Sequence, residues 1–269
     1  MHRGGFTDDY YEQAWSQIAG SISVQDEERI KQTLSLIPED CSSILDMGCG
    51  DGRITNRLTS RCSKVVGVDS SREALKHVNA EKMLGSIDSL PFGDKSFDVI
   101  LCCEVLEHLP FRVYPRAIEE IERVAAKHII VTVPDNEDLE RSLTTCPHCG
   151  CKFNPSRHLR SFDSQAVVEL FNQFRLQTTR CCSPVKVKIY PRFLIKGAES
   201  LELLPNNPFP TTAVCPQCGY SPLLSCETSV KANTTERGSL PARLLRSLAR
   251  RLAPAKERGT WLMALYERN

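Results

Sequence analysis

The 269-residue chain lacks any run long and apolar enough to cross a bilayer as a helix, which takes about 20 such residues. Its first residues, Met1-His2-Arg3-Gly4-Gly5-Phe6, lack the apolar stretch of a secretory signal. It has almost no net charge, because 34 Lys and Arg face 33 Asp and Glu. That balance excludes a nucleic-acid footprint spread over the whole surface, so any basic surface must be local. Apart from one short cysteine motif, no internal repeat stands out. With 41% hydrophobic and 25% charged residues, the composition is that of a folded globular chain, and the expectation is a soluble, cytoplasmic protein. In that setting the 13 cysteines point to thiols or metal ligands rather than disulfides. The length allows one large domain, or one domain with a small module inserted.

What is present is organised around Ile44-Leu45-Asp46-Met47-Gly48-Cys49-Gly50-Asp51-Gly52-Arg53. An apolar strand ending in an acid runs into a glycine turn, and Ile54 and Leu58 then begin a helix. Glycine there lets the backbone take positive φ and lets a ligand approach without a Cβ in the way. Lys64-Val65-Val66-Gly67-Val68-Asp69 follows as a second strand. It ends in an acid about 20 residues after the turn, where a βαβ nucleotide site places its ribose-binding carboxylate. Ser70-Ser71 caps a helix through about Asn79, Lys82-Met83-Leu84-Gly85 is a third strand, and Ser96 to Cys103 is a buried parallel strand. Residues 8–37 are helical by spacing, with a start at Ser23 before Asp26 and Glu27. Arg112 to Ala126 is an amphipathic helix, and His128 to Pro134 is the fifth strand. Residues 163–174 predict a further helix, Val185 to Tyr190 a sixth strand, and Trp261 to Tyr266 a last one.

Gly48, Gly50 and Gly52, with Asp46 two residues before them, resemble motif I of the class I S-adenosylmethionine (SAM) methyltransferases. The string Leu90-Pro91-Phe92 followed by Ser96-Phe97-Asp98 is similar to one common in the small-molecule members. The resemblance covers roughly residues 40–190 and the last strand, and is strongest from Ile44 to His108. It implies a Rossmann-like α/β fold: a seven-stranded, mostly parallel sheet, its last strand antiparallel, with helices on both faces. It also implies that Asp69 accepts hydrogen bonds from the ribose hydroxyls. Gly48 and Gly50 would touch the methionine part, and Asp46 would orient its amino group. Ser86 and Ile87 would meet adenine through their backbone. The family often carries an Asp where this chain has Ser86, which leaves the role of Asp88 open. Cys49, Ser70 and Cys103 complete the expected cofactor-binding set. N-terminal helices in this family form a lid, which makes Tyr10, Tyr11 and Trp15 candidate aromatic contacts; simple packing on the sheet is the other reading.

After the fourth strand, Glu104, Glu107 and His108 are spaced to share one helical face. A His between carboxylates can act as a general base toward a substrate hydroxyl, or as part of an oxygen–nitrogen site for Mg, Mn or Fe. Glu-x-x-Glu-His resembles a motif of ubiquinone-pathway O-methyltransferases. It is also similar to one in small-RNA 3′-end 2′-O-methyltransferases, which bind a divalent ion with a further His. His158 is the candidate for that place. The expected catalytic residues are thus His108, Glu104 and His158, with a candidate second divalent ion at Glu104, Glu107, His108 and His158.

Two knuckles remain, Cys146-Pro147-His148-Cys149-Gly150 and Cys215-Pro216-Gln217-Cys218-Gly219. Each resembles half of a zinc ribbon, and four thiolates make a closed tetrahedral Zn²⁺ site. The halves lie 66 positions apart, against roughly 15–20 in an ordinary ribbon. The sheet topology that the resemblance implies would let both inserts leave from the substrate end and meet there. Cys151, Cys226 and His148 are alternative ligands, and free or redox-active thiols are the other reading. Leu240 to Leu252 is a basic amphipathic helix with Arg243, Arg246 and Arg250 beside its leucines. Either its polar face is simply solvated, or it contacts phosphate-bearing substrate, nucleic acid or anionic lipid.

The expected organisation is an N-terminal helical lid (1–39), a SAM-binding core (40–190), a zinc-stapled insertion with the second knuckle and the basic helix (191–258), and the last core strand (259–269). The expected activity is SAM-dependent methyl transfer to a hydroxyl of a small molecule or glycan-like metabolite. RNA methylation and a non-catalytic binding module are the alternatives.

Overall fold

The structure is a computed structural model, and it describes Glu12, Trp15 and residues 22–188, 209–211, 213–222 and 255–269. Tyr10, Tyr11, Cys226 and the basic helix over 240–252 lie outside the described residues. The chain forms two compact units, one of residues 1–141, 156–183 and 259–269, the other of 142–155 and 184–258. Among the described residues, no helix is long and apolar enough to cross a membrane.

The first unit holds α1 (Val24–Leu34), β1 (Ser43–Met47), α2 (Thr55–Leu58), β2 (Lys64–Asp69), α3 (Arg72–Leu75) and β3 (Glu81–Leu84). After these come β4 (Phe97–Cys103), a single 3-10 turn (Leu106–His108), α4 (Tyr114–Val124) and β5 (Ala125–Pro134). The second unit contributes β6 (Thr144–Thr145) and β7 (Lys152–Phe153) before the chain returns to α5 (Ser164–Val168) and β8 (Phe174–Cys182). The chain then passes through β9 (Val185–Lys188) and β10 (Ala255–Arg258) of the second unit and ends in β11 (Trp261–Arg268).

Seven strands make one sheet in the order β3-β2-β1-β4-β5-β11-β8, parallel except for β11, which runs antiparallel to both neighbours. Period-two alternation decides which side chains cover which face. Leu45, Ile100, Cys102, Ile129, Val131 and Leu262 join the apolar layer that includes Ala117 and Ile121 of α4 and Val167 of α5. Ile44, Val99, Leu101, Ile130 and Met263 join the layer that includes Ile30 of α1 and Leu58 of α2. Both faces are therefore buried, as a parallel sheet requires. α1 begins at the predicted place: Asp26 N donates to Ser23 Oγ at 3.0 Å, and the Asp26 side chain closes the box on the Ser23 backbone.

The sixth strand of the sheet is β8, not the predicted Val185–Tyr190 segment, and the helix expected over 163–174 stops at Val168. β8 lies at the sheet edge and alternates only weakly, because much of it is exposed, so its sequence carried little strand signal. Val185–Lys188 is indeed a strand, but it pairs with β10 within the second unit. That unit also takes in residues 142–155, so the first knuckle groups with 184–258 rather than with the core.

Candidate active site and metal centre

The site begins where β1 ends. Gly48 and Gly50 both have positive φ, +71° and +55°. The N–H groups of Gly48 and Cys49 donate to Val68 O at 2.7 and 3.0 Å, which ties the turn to the end of β2. A Cβ on Gly48 would collide with the Val105 side chain. One on Gly50 would lie 2.6 Å from Cη2 of Trp15, so that indole rests on the turn. Only glycine satisfies both the backbone angle and the space.

Two carboxylates flank the turn at the carboxyl ends of β1 and β2. Asp46 is buried and accepts from Thr55 Oγ1 at 2.6 Å; burial pushes its carboxyl up to about 6. Asp69 accepts from Gly50 N at 2.8 Å and Ser71 N at 2.9 Å, and burial raises it despite these donors. Cys49 is buried against Leu75 and Val78, while Ser70 is exposed beside Asp69. Glu12 accepts from Ser71 Oγ at 3.0 Å, Arg72 N at 2.7 Å and Glu73 N at 2.8 Å, a link that no local pattern announced. Farther along, Ser86 is exposed and Ile87 turns its side chain into the core. Asp88 accepts from the Ser86 hydroxyl and pairs with Arg116, and these contacts, the serine foremost, hold its carboxyl below the usual range. Cys103 ends β4 facing the second apolar layer.

The predicted common face of Glu104, Glu107 and His108 does not form. The 3-10 turn starts only at Leu106, and Glu104 precedes it with a left-handed φ of +58°. Glu104 turns instead to β11 and β5: Trp261 Nε1 donates to it at 2.6 Å and Thr132 Oγ1 at 3.1 Å. Burial raises its carboxyl, and the buried Arg29 opposes that rise. Arg29 lies 5.3 Å over the Trp261 ring.

Glu107, His108 and His158 do converge, each offering one ligand atom within 4.8 Å of the others. Backbone contacts produce this across 50 residues of sequence. Leu159 N donates to Glu107 O at 2.7 Å, and Arg160 Nη1 donates to Leu106 O and Leu109 O at 2.6 and 2.7 Å. The Arg160 guanidinium also lies 4.1 Å over the Tyr114 ring. Glu107 is fully buried; among the described residues neither carboxylate oxygen accepts a hydrogen bond, and His108 Nε2 lies 3.7 Å from Oε1. Burial first, and Glu104 second, push its carboxyl far up. Burial, then the neighbouring His158, push His108 down to about 3. His158 Nδ1 pairs with Glu137, a partner with no signature in the sequence. An imidazole titrating so low is a weak general base but a ready neutral metal ligand.

In the second unit the two knuckles have the same form. Gly150 N donates to Cys146 O, and Gly219 N to Cys215 O, both at 2.9 Å. Cys146 N and Cys215 N donate to Cys151 O and Tyr220 O, both at 2.8 Å. The four thiols of Cys146, Cys149, Cys215 and Cys218 form one cluster, with Sγ atoms 3.7 Å apart for 146–218 and 3.6 Å for 149–215. A tetrahedron with Zn–S bonds of about 2.3 Å has edges of about 3.8 Å, so the spacing and the donor set fit Zn²⁺. His148 stacks on Tyr220 and Cys151 Sγ points to Lys152 O, so neither joins the cluster. Phe153, Phe209 and Ala213 pack around it.

Residues 45–131 match the family model described as a methyltransferase domain. An uncharacterized methyltransferase of Schizosaccharomyces pombe is 41% identical over 64 residues, 21% of this chain and 25% of that protein. A ubiquinone biosynthesis O-methyltransferase of Rickettsia bellii is 28% identical over 97 residues, 33% of this chain and 40% of its own length. The chain thus spans well under half the length of the curated relatives it matches. Among solved structures, a chain of the complex between the Haloferax volcanii Trm112 methyltransferase activator and a methyltransferase shares the fold. The TM-score is 0.55 at 15% identity, over 98% of this chain and 99% of that one.

Proposed function

From a chain whose residues 45–131 form a SAM-dependent methyltransferase domain, we propose methyl transfer from SAM to a hydroxyl of a small molecule or glycan-like metabolite. The observation that carries the reading is the cradle at the carboxyl ends of β1 and β2. Two positive-φ glycines there turn the chain close under Val105 and Trp15, where no Cβ fits, and carry it between the buried carboxylates of Asp46 and Asp69. Ligands of open α/β sheets bind at that end. When bound, SAM supplies a methyl on a sulfonium, already a good leaving group. The chain's share is alignment and dehydration. Asp46 meets the amino group and Asp69 the ribose hydroxyls. Gly48, Cys49 and Gly50 follow the methionine part, Ser70 flanks the ribose, and Ser86 and Ile87 offer backbone to adenine. Cys103 closes the end of β4, and Trp15 covers the turn as part of an N-terminal lid. Glu104, His108 and His158 line the acceptor side.

In the second unit, Cys146, Cys149, Cys215 and Cys218 would hold one structural Zn²⁺. In the core, the Glu107 carboxylate, which accepts no hydrogen bond among the described residues, and the imidazoles of His108 and His158 fit a divalent ion. One carboxylate and two imidazoles suit Mn²⁺ or Fe²⁺ better than Mg²⁺. Such an ion would hold an acceptor hydroxyl and favour its deprotonated form. A cytoplasmic setting accords with the twelve described cysteines, none of which is in a disulfide.

RNA is the second reading of the acceptor, favoured by the convergence of Glu107, His108 and His158. The test is transfer of labelled methyl from SAM into a host-cell extract, then separated into RNA, protein, lipid or glycan, and small-molecule fractions. Label among small molecules or glycans supports the first reading, and label in RNA replaces it with the second. No label from protein that binds SAM points to a binding module instead.

A further inference from the structure

Outside the zinc-type cluster, Cys41 and Cys62 are the thiol pair within 4 Å among the described residues, with their Sγ atoms 3.8 Å apart. Their placement follows from strand register. β1 and β2 are parallel with Ser43 opposite Lys64. The same register carried two residues back sets Cys41 opposite Cys62. Lys64 N and Ser63 Oγ both donate to Ser42 O, at 3.1 and 2.8 Å, so the chains still run side by side there. Neighbouring strands lie about 4.8 Å apart, inside the Cα spacing that a disulfide spans.

Both thiols stand on fixed backbone. Asp98 accepts from Ser42 N and Ser43 N, at 3.0 and 3.3 Å, and from Ser42 Oγ. Cys62 N donates to Leu58 O at 3.0 Å. The sulfurs therefore have roughly 1.8 Å to close, by side-chain rotation alone. The neighbouring cysteines of β4 are placed differently. Cys102 and Cys103 follow one another on β4 and face opposite layers. Exposure separates the roles of the pair, since Cys41 is buried and Cys62 only half-buried.

We infer that Cys41 and Cys62 form a reversible dithiol–disulfide site that clasps the starts of β1 and β2. The oxidant is a low-molecular-weight disulfide. The Cys62 thiolate attacks one of its sulfurs, giving a mixed disulfide on Cys62 and releasing one small thiol. The Cys41 thiolate then displaces the second small thiol from Cys62, and the protein disulfide forms. Two protein protons leave with the two small thiols. The protein is oxidised by two electrons and the small disulfide is reduced by two. Burial holds the Cys41 thiol high, at about 12, so Cys41 rarely ionises and the more exposed Cys62 makes the first attack. The clasp sits at the amino ends of the strands, whereas Asp46 and Asp69 lie toward their carboxyl ends. It therefore tightens the core without closing the cofactor cradle.

The experiment treats the reduced, zinc-loaded full chain with glutathione disulfide and maps a non-reducing tryptic digest by mass spectrometry. The expected product joins the peptide ending at Arg53, through Cys41, to the peptide that begins at Cys62. Dithiothreitol reverses it. Oxidation raises the thermal midpoint by roughly 5 °C and leaves SAM affinity within about twofold, a change too small to register as 1.4 kcal/mol. Cys41→Ser keeps glutathione on Cys62, and Cys62→Ser shows neither link nor shift. Should Cys41→Ser fail to fold, the half-buried Cys62→Ser serves alone. A wild-type Cys62 left unmodified, stably glutathionylated, or joined to another cysteine overturns the inference.

Discussion

Trp261 Nε1 donates a 2.6 Å hydrogen bond to Glu104 Oε2 across 157 residues of sequence. The bond anchors a carboxylate whose backbone sits at a φ of +58°, a conformation that a non-glycine residue keeps only when its surroundings impose it. Trp261→Phe keeps the ring and deletes the donor. Leaving a buried acceptor short of a partner costs about 1–3 kcal/mol of unfolding free energy, to be read from urea titration. In a double-mutant cycle with Glu104→Leu, which removes the acceptor, the two losses are sub-additive by about 0.5 kcal/mol or more. Simple additivity would show that the bond carries no energy.

Asp46 gives the fold a pH dependence of known sign. Its carboxyl is raised in the folded protein to about 6 from 3.8. The contribution to stability is therefore fully present below the unfolded value and is lost as pH rises through 6. Asp46→Asn removes that loss and raises the thermal midpoint at pH 7.5, an effect of up to roughly 3 kcal/mol. It also weakens SAM binding about tenfold or more, which calorimetry would register as 1.4 kcal/mol. For the wild type, SAM affinity falls as the pH drops below 6, because the ammonium then meets a neutral acid.

The thiol cluster predicts one zinc per chain by elemental analysis of purified protein. Cys218→Ser loses the metal. Hydrogen exchange should then accelerate at 142–155 and 213–222 while β1 and β4 keep their protection, since the cluster lies wholly within the second unit. Full protection at 213–222 in metal-free protein would dismiss the structural role.

Manganese should stabilise the wild-type protein by about 2.7 kcal/mol at a hundredfold excess over the dissociation constant, read as a higher thermal midpoint. Glu107→Gln abolishes the shift, and His158→Ala weakens it. Because burial raises the Glu107 carboxyl, which must lose its proton to bind a cation, affinity climbs with pH above the ordinary carboxylate range. A shift that survives Glu107→Gln would place the ion elsewhere.

Much of the core was legible because its signals are local. A buried parallel strand needs a continuous apolar run, as Phe97 to Cys103 shows, and a ligand turn needs Gly48 and Gly50 whatever surrounds them. The two knuckles announced themselves in the same way. β8 was not legible, because an exposed edge strand tolerates Arg, Gln and Thr and leaves little periodicity to read. Nor was the orientation of Glu104 legible. Helical spacing put it on one face with Glu107 and His108, but Glu104 precedes the 3-10 turn and a tryptophan from the last strand holds its carboxylate.

The sequence by itself determined the buried sheet-forming runs, the glycine turn, the acids that end β1 and β2, and the two cysteine knuckles, since backbone sterics and burial act on neighbours along the chain. Tertiary structure alone decided that Leu159 binds Glu107 and so brings His158 to His108, and that Trp261 and Arg29 flank Glu104. It also set Cys41 beside Cys62. Each of these depends on strand order and register, which are fixed by the free energy of packing the whole sheet and not by any one segment.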